Sequence, residues 1–323
     1  MAITMKPIVD PLPRSQIIEE LTKDKLLRKT NNGNNAVYVF EARNSPALMH
    51  EVGRVREMTF RHAGGGTGKD IDIDEFDIDP DNPQRQLIVW DPDNLEIVGG
   101  YRFFYFITPC RKCDLTKLAS SDYFNFSEKF MIRYLPHLME LGRSFVHPDY
   151  QSRNKGRKSL FALDNLWDGL GALIIENPQI KYLFGKVTMY RHFNQRARDM
   201  ILYFLKKHFS DPDNLVIVKD PADIDIHGES MSQIFKGKTY KEDYKILSQE
   251  VRRLDENIPP LINAYMNLSP TMKTFGTFIN HKFGDVEETG IMITLRDIYV
   301  EKINRHLASY KKDFEIRWWS HEH

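Results

Sequence analysis

The apolar positions of this chain switch between two periods, and each switch marks a new element. Residues 1–14 hold three prolines and no sustained period, which reads as an arm. Ser15 is placed to cap a helix over 15–29 with Ile17, Ile18, Leu21 and Leu26 as its apolar stripe. Asn31-Asn32-Gly33-Asn34-Asn35 is a turn cluster, and 36–40 reads as a strand. Ser45-Pro46 opens a second helix reaching about Arg61, proline being tolerated at the first helical position. A glycine-rich loop (62–70) and an acidic run (70–81) follow. Residues 86–90 and 96–107 then predict a hairpin around Asp91-Pro92-Asp93-Asn94.

Beyond a loop carrying both cysteines, 137–146 reads as a strand with charges inside it. A basic turn leads into a long helix over 155–176, a strand at 182–189, a helix at 194–208 and a strand at 215–218. Residues 219–238 are polar and predict a long loop. A helix over 240–254, a short helix after Ile258-Pro259-Pro260, strands at 274–283 and 290–295 and a closing helix from Arg296 complete the chain. Strands joined first by hairpins and then by helices predict a mixed α/β sheet.

Composition narrows the function. The 323 residues hold 45 Lys+Arg against 45 Asp+Glu, so the basic surplus of a duplex-binding protein is missing and no nucleic-acid partner is expected. With 41% hydrophobic and 12% aromatic residues the chain can bury a sizeable core, which excludes a disordered regulator. Cys110 and Cys113 are too few to staple such a chain and point to a reducing compartment. The first residues show no signal-peptide pattern, and the longest apolar stretch, about 101–107, is far below the ~20 residues of a spanning helix. A cytoplasmic location is expected. Trp318-Trp319 near Lys311-Lys312 reads either as a contact with the inner membrane face or as a buried closing helix.

Three motifs imitate chemistry. Gly64-Gly65-Gly66-Thr67-Gly68-Lys69-Asp70 lacks the leading glycine of a phosphate loop and carries Asp where that loop needs Ser or Thr; it reads as a mobile loop beside a site. Cys110-Arg111-Lys112-Cys113 is half a zinc site at best, so no metal is expected. His208 and Asp213 have the spacing of an O-acyltransferase motif but fall at a helix end.

The strand around Glu140-Leu141-Gly142-Arg143 is different. Met139, Leu141, Phe145 and Val146 make it apolar, and an unpaired charge buried there costs several kcal/mol. Pairing within a charge network is the plain explanation; a site is the other. A spacing of three puts Glu140 and Arg143 on opposite faces of a regular strand unless a bulge intervenes, and Gly142 permits one.

Around that strand Asp74-Glu75-Phe76-Asp77, Leu87-Ile88-Val89, Val98-Gly99-Gly100-Tyr101-Arg102, Val146-His147-Pro148, Tyr182-Leu183-Phe184-Gly185, Pro259-Pro260-Leu261 and Phe283-Gly284 occur in order. The pattern resembles the acyl-carrier-protein-dependent branch of the GNAT acyltransferases over about residues 52–284. It is nearer the N-acyltransferases that make ornithine- and glycine-type aminolipids than the acyl-homoserine-lactone synthases. The resemblance implies a GNAT-like mixed central sheet flanked by helices, with a bulged central strand. It divides the chain into an N-terminal arm and helix (1–35), an acyltransferase core (36–218) and a C-terminal α/β extension packed on it (219–323).

The implied reaction moves a long (3-hydroxy)acyl chain from acyl carrier protein to the amine of a small amino acid, a step of aminolipid synthesis. The resemblance places Arg56 and Phe60 near the acyl donor and substrate, and Asp74 and Asp77 as the acids after the glycine loop. Arg102 is the strand arginine, and Glu140 and Arg143 are the pair on the bulged strand. Glycines replace the tryptophan of the lactone synthases between Phe60 and the acids, which weakens the alternative of a signal synthase. A retired GNAT fold that only binds lipid or carrier is the non-enzymatic alternative. Gln151-Ser152-Arg153-Asn154-Lys155-Gly156 breaks the acetyl-CoA loop pattern. No tightly bound cofactor is expected, the co-substrate being the acyl-phosphopantetheine of the carrier.

Amide formation needs a neutral amine, and a positioned carboxylate can take the ammonium proton for a gain of ~10²–10⁴. Glu140 is the candidate base and Arg102 or Arg143 the candidate holder of the acceptor's carboxylate. Asp74 and Asp77 either bind the acceptor ammonium or hold those arginines. Arg153, Lys155, Arg157 and Lys158 lie where cations oppose a helix dipole, which suits a phosphate and an acidic carrier; a solvated basic turn is the plain alternative.

Overall fold

The computed structural model describes residues 5–106, 113–151, 157–224, 226, 228–306 and 310. In chain order the elements are α1 (Arg14–Glu20), β1 (Leu26–Lys29), β2 (Ala36–Phe40), α2 (Pro46–His62), β3 (Arg85–Asp91), β4 (Glu96–Tyr105), β5 (Phe124–Phe126), α3 (Glu128–Arg133), β6 (Leu138–Val146) and α4 (Pro148–Gln151). They continue with α5 (Arg157–Glu176), β7 (Tyr182–Met189), α6 (Gln195–His208), β8 (Val216–Val218), α7 (Gly228–Ile234), α8 (Tyr240–Arg253), α9 (Pro260–Met266), β9 (Lys273–Asn280), β10 (Val286–Thr294) and α10 (Val300–His306). Eight strands form one mixed sheet in the order β1-β2-β3-β4-β6-β7-β10-β9, while β5 and β8 pair apart from it. Only β6 and β7 run parallel among the neighbours in that sheet.

Strand alternation sends side chains to two cores. Leu87, Val89, Tyr101, Leu141 and Leu183 bury against Leu166 and Leu170 of α5 and Ile201 and Phe204 of α6. Ile88, Trp90 and Phe145 face the other way, onto Leu48, Val52 and Val55 of α2. Farther along that second face, Phe104 and Phe184 meet Phe124, Phe130 and Phe278.

Two expectations are corrected. The helix predicted over 15–29 ends at Glu20, and Leu26–Lys29 is instead an edge strand paired with β2. The turn between them, with Gly33 at φ +86° and Asn34 at +55°, folds the segment back onto the sheet, where pairing outweighs a weak helical stripe. The polar segment 219–238 contains α7. β1, β9 and β10, which lie outside residues 36–218, belong to the same sheet as the strands within them.

The parallel pair sets up the site. β6 and β7 are in register only from Leu138↔Tyr182 to Leu141↔Gly185. Beyond that point β6 stays with β4 and β7 with β10, so the two part. At the same place Gly100 faces Phe145 and Arg102 faces Gly142, leaving two β6 residues opposite Tyr101. This is the expected bulge, but its left-handed residue is Arg143 (φ +48°) rather than the glycine beside it. A non-glycine residue in that region costs energy and is concentrated at functional sites.

Gly185 marks the parting. A Cβ there would lie 2.7 Å from the Leu141 carbonyl oxygen, a backbone atom that cannot step aside. Gly185→Ala is expected to lower the unfolding free energy by about 1–3 kcal/mol in urea titration, and an unchanged midpoint would show that the strands can shift.

Candidate active site

Where β6 and β7 part, the gap widens into a cavity of about 750 Å³ lined from both faces of the sheet. Its polar side holds Asp72, Asp74, Arg102, Glu140 and Arg143; its apolar side holds Leu141, Leu163, Leu183, Ile262, Ile291 and Ile293. Such a division suits a substrate with a charged end and a hydrocarbon end.

Three arginines and three aspartates form the polar wall. Arg56, wholly buried on α2, donates from Nε to Asp72 (2.9 Å) and from Nη1 to Asp77 (3.1 Å). Arg102 of β4 contacts Asp74 at 2.5 Å and Asp77 at 3.2 Å. Arg143 reaches Asp72 at 2.9 Å and Asp74 at 3.3 Å, and its guanidinium lies 4.9 Å over the Phe283 ring. Gln86 of β3 donates to Asp77 at 2.8 Å. Burial pushes the Asp77 carboxyl up, but Arg56 and Arg102 overcome this and hold it well below the usual carboxylate range. Asp72 is likewise lowered against its burial by Arg143 and Arg56.

The bulge puts Arg143 on the same face of β6 as Glu140, because one extra residue inverts the alternation. Glu140 does not join the arginines. Its two oxygens accept the backbone N–H groups of Ala119 (3.0 Å) and Ser120 (2.8 Å), and no cation among the described residues pairs with it. Phe60, also on α2, lines the cavity and packs edge-on against Phe283 at 4.9 Å.

Among the described residues, five buried polar atoms lining the cavity have no hydrogen bond of good geometry to one another or to their neighbours: Thr59 Oγ1, Tyr101 Oη, Arg102 Nε, Ser120 Oγ and Ser159 Oγ. For Tyr101, the Ser144 and Tyr265 hydroxyls lie near enough to interact. Unmet polar atoms gathered at one cavity are what a substrate would satisfy.

Residues 55–158 match the acetyltransferase (GNAT) domain. A glycine N(alpha)-acyltransferase of Bacteroides thetaiotaomicron is 52% identical over 95% of this chain and 91% of its own length. Another, from Phocaeicola vulgatus, is 51% identical over 95% of this chain and 94% of its own. The chain belongs to this N-acyltransferase family. A GNAT-family acetyltransferase structure from Bacillus anthracis aligns over 83% of this chain and 98% of its own, with 10% identity and a TM-score of 0.31.

The acyltransferase thus brings Arg56, Phe60, Asp74, Asp77, Arg102, Glu140 and Arg143 to one wall or directly behind it. Arg153 and Lys155 lie outside the described residues, as do Cys110, Lys311, Lys312, Trp318 and Trp319; Arg157 and Lys158 are described only as the backbone opening α5. The glycine loop is pinned: the Glu57 carboxylate accepts the Thr67 and Gly68 N–H groups at 3.0 and 2.8 Å and the Thr67 hydroxyl at 2.8 Å. A protein carboxylate therefore occupies donors that a phosphate would need. His208 and Asp213 part company, His208 pairing with Asp243 at 2.9 Å and Asp213 with Lys129 at 3.0 Å. No three His, Cys, Asp or Glu side chains among the described residues are grouped to hold a metal ion. No helix among them is long and apolar enough to cross a membrane.

Sequence reasoning missed Asp72, which completes the network, and the Lys186–Glu288 pair on the opposite lip (2.9 Å). The signal was available for Lys186, a charge inside the apolar strand 182–189 just as Glu140 is in its own.

Asp77→Asn should leave Arg56 and Arg102 short of a buried counter-charge and lower stability by about 3–5 kcal/mol, read by chemical denaturation. The depressed Asp72 and Asp77 carboxyls mean that the unfolded chain binds protons first on acidification. Their contribution is complete above an unfolded pKa of about 4 and is lost as the pH falls from there toward the folded values. The Asn variant should show a shallower loss of stability across that acidic range than the parent protein.

Proposed function

We propose that this acyltransferase moves a long acyl chain, of the 3-hydroxyacyl type, from the phosphopantetheine arm of acyl carrier protein to the amine of glycine, a step of aminolipid synthesis. The acceptor is supported by the two relatives named for glycine; the observation carrying the chemistry is Glu140, a buried carboxylate held by two backbone amides. Each of its oxygens accepts one bond and keeps a further lone pair for a proton.

In this mechanism the acceptor enters as an ammonium, and Glu140 takes one proton, directly or through water, to free the nitrogen lone pair. The nitrogen attacks the thioester carbon. A C–N bond forms, and the oxyanion is met by a backbone N–H released at the bulge between Gly142 and Ser144. Collapse breaks the C–S bond, the second nitrogen proton passes through water to the departing thiolate of the carrier arm, and Glu140 returns the proton it took to solvent. Arg102 offers its unpaired Nε to the acceptor's carboxylate, while Arg56, Arg143 and the three aspartates hold it in place. Leu141, Leu163, Leu183 and Ile262 take the hydrocarbon. The cations at Arg153, Lys155, Arg157 and Lys158 meet the acidic carrier and the phosphate of its arm.

Incubation with acyl carrier thioesters and single amino acids, read by mass spectrometry, should give N-acylglycine; no acylated product from glycine, ornithine, serine or lysine overturns the proposal. A lactone formed from S-adenosylmethionine would identify a signal synthase instead, and carrier binding without transfer a retired fold. Glu140→Gln is expected to lower kcat by ~10²–10⁴ with the fold intact, and full turnover in that variant removes Glu140 as the base.

A further inference from the structure

The opposite lip of the cavity carries a second charged group that the reaction above leaves unused. Lys186 on β7 places Nζ 2.9 Å from Glu288 Oε2 of β10. The same carboxylate accepts Asn280 Nδ2 at 2.9 Å and the Thr188 hydroxyl at 3.4 Å. The ammonium lies 4.2 Å over the Tyr123 ring and 5.5 Å from that of Phe278, two rings stacked on each other at 4.4 Å. Tyr123 donates to Asn280 Oδ1 at 3.2 Å, and burial together with Glu288 pushes its phenol up to about 12, so it stays protonated. Lys186, Glu288, Thr188, Asn280 and Tyr123 all line the cavity.

A carboxylate, a side-chain amide and two aromatic faces are the parts of a binding site for an alkylammonium ion. Here the chain's own lysine fills it. Glu140 is in register with Phe184, and Lys186 is two residues farther on the same face of β7, about 7 Å along the strand. The filled site therefore stands beside the proposed base, within reach of an acceptor's side chain.

Resting on the glycine reading, we infer that Lys186 is a specificity determinant: its ammonium plugs a cage that would otherwise take the side-chain ammonium of a diamino acid, and so keeps such acceptors out. Neutralised by Glu288, the plug leaves no net charge to attract them, and its stem fills the space their side chain needs. An acceptor without a side chain meets neither obstacle.

The test compares glycine with L-ornithine as acceptor and adds methylammonium as a probe independent of turnover. Lys186→Ala should raise the ornithine-to-glycine ratio of kcat/KM about tenfold or more, the factor supplied by one charge-assisted contact. Adding Glu288→Gln, which removes the cage's charge, should abolish that gain. Methylammonium should raise the Tm of Lys186→Ala and leave that of the parent protein and of the double variant unmoved. If Lys186→Ala yields little folded protein, methylammonium should restore it, and failure to do so overturns the cage. An unchanged acceptor ratio in a folded, active Lys186→Ala overturns the plug. Failure of the parent protein to acylate glycine would instead overturn the acceptor reading, while the methylammonium measurement would still decide the cage.

Discussion

Two parallel strands that share four residue pairs and then separate govern this molecule. A strand that leaves its neighbour exposes backbone donors and acceptors which burial would penalise unless something meets them. β6 keeps β4 as a partner and β7 keeps β10, so each retains one ladder while the gap between them opens. Gly185, passing within contact of the Leu141 carbonyl, marks the last shared pair, and the bulge at Arg143 sits just beyond it. The cavity, the shared face of Glu140 and Arg143, and the division between a charged wall and an apolar arm follow from this separation.

The charged wall serves position more than stability. Burying three arginines and three aspartates carries a desolvation penalty that apolar side chains of similar volume would avoid. What the network secures is geometry, because it ties the segment carrying Asp72, Asp74 and Asp77 to α2, β4 and β6 at once. Glu140 is held by a different device, the two backbone amides of Ala119 and Ser120. Asp72 and Asp77, held low by the arginines, are poor candidates to accept a proton.

Local pattern was a good guide where the local signal is complete. The strand over Tyr182–Met189 was legible residue for residue, and Asn194 caps α6 with bonds to the Arg196 and Ala197 N–H groups, as such a residue should. Leu26–Lys29 was misread because four residues at a sheet edge carry too little periodicity to compete with a stripe continuing from a helix. β5 and α3, three and six residues long, are likewise too short to show a period in the sequence. The glycine loop looked mobile because its anchor, Glu57, sits a helix turn and more upstream and points back at it.

By itself the sequence determined the order of the elements, the apolar character of the central strands and the presence of charges inside them, since these depend on side-chain type and spacing alone. It also held, in the order of its separated blocks, the resemblance that the relatives bore out at the level of the N-acyltransferase family. Which face each charge occupies was decided only in the folded chain. One residue with positive φ turns Arg143 to the side of Glu140, long-range strand register brings Lys186 near Glu288, and the segment after the glycine loop folds back on α2 to bring Asp72 to Arg56. Side-chain direction along a strand inverts with a single extra residue, and pairing partners come from segments a hundred residues and more apart. No local pattern encodes either, because both are set by how the whole sheet closes around the gap.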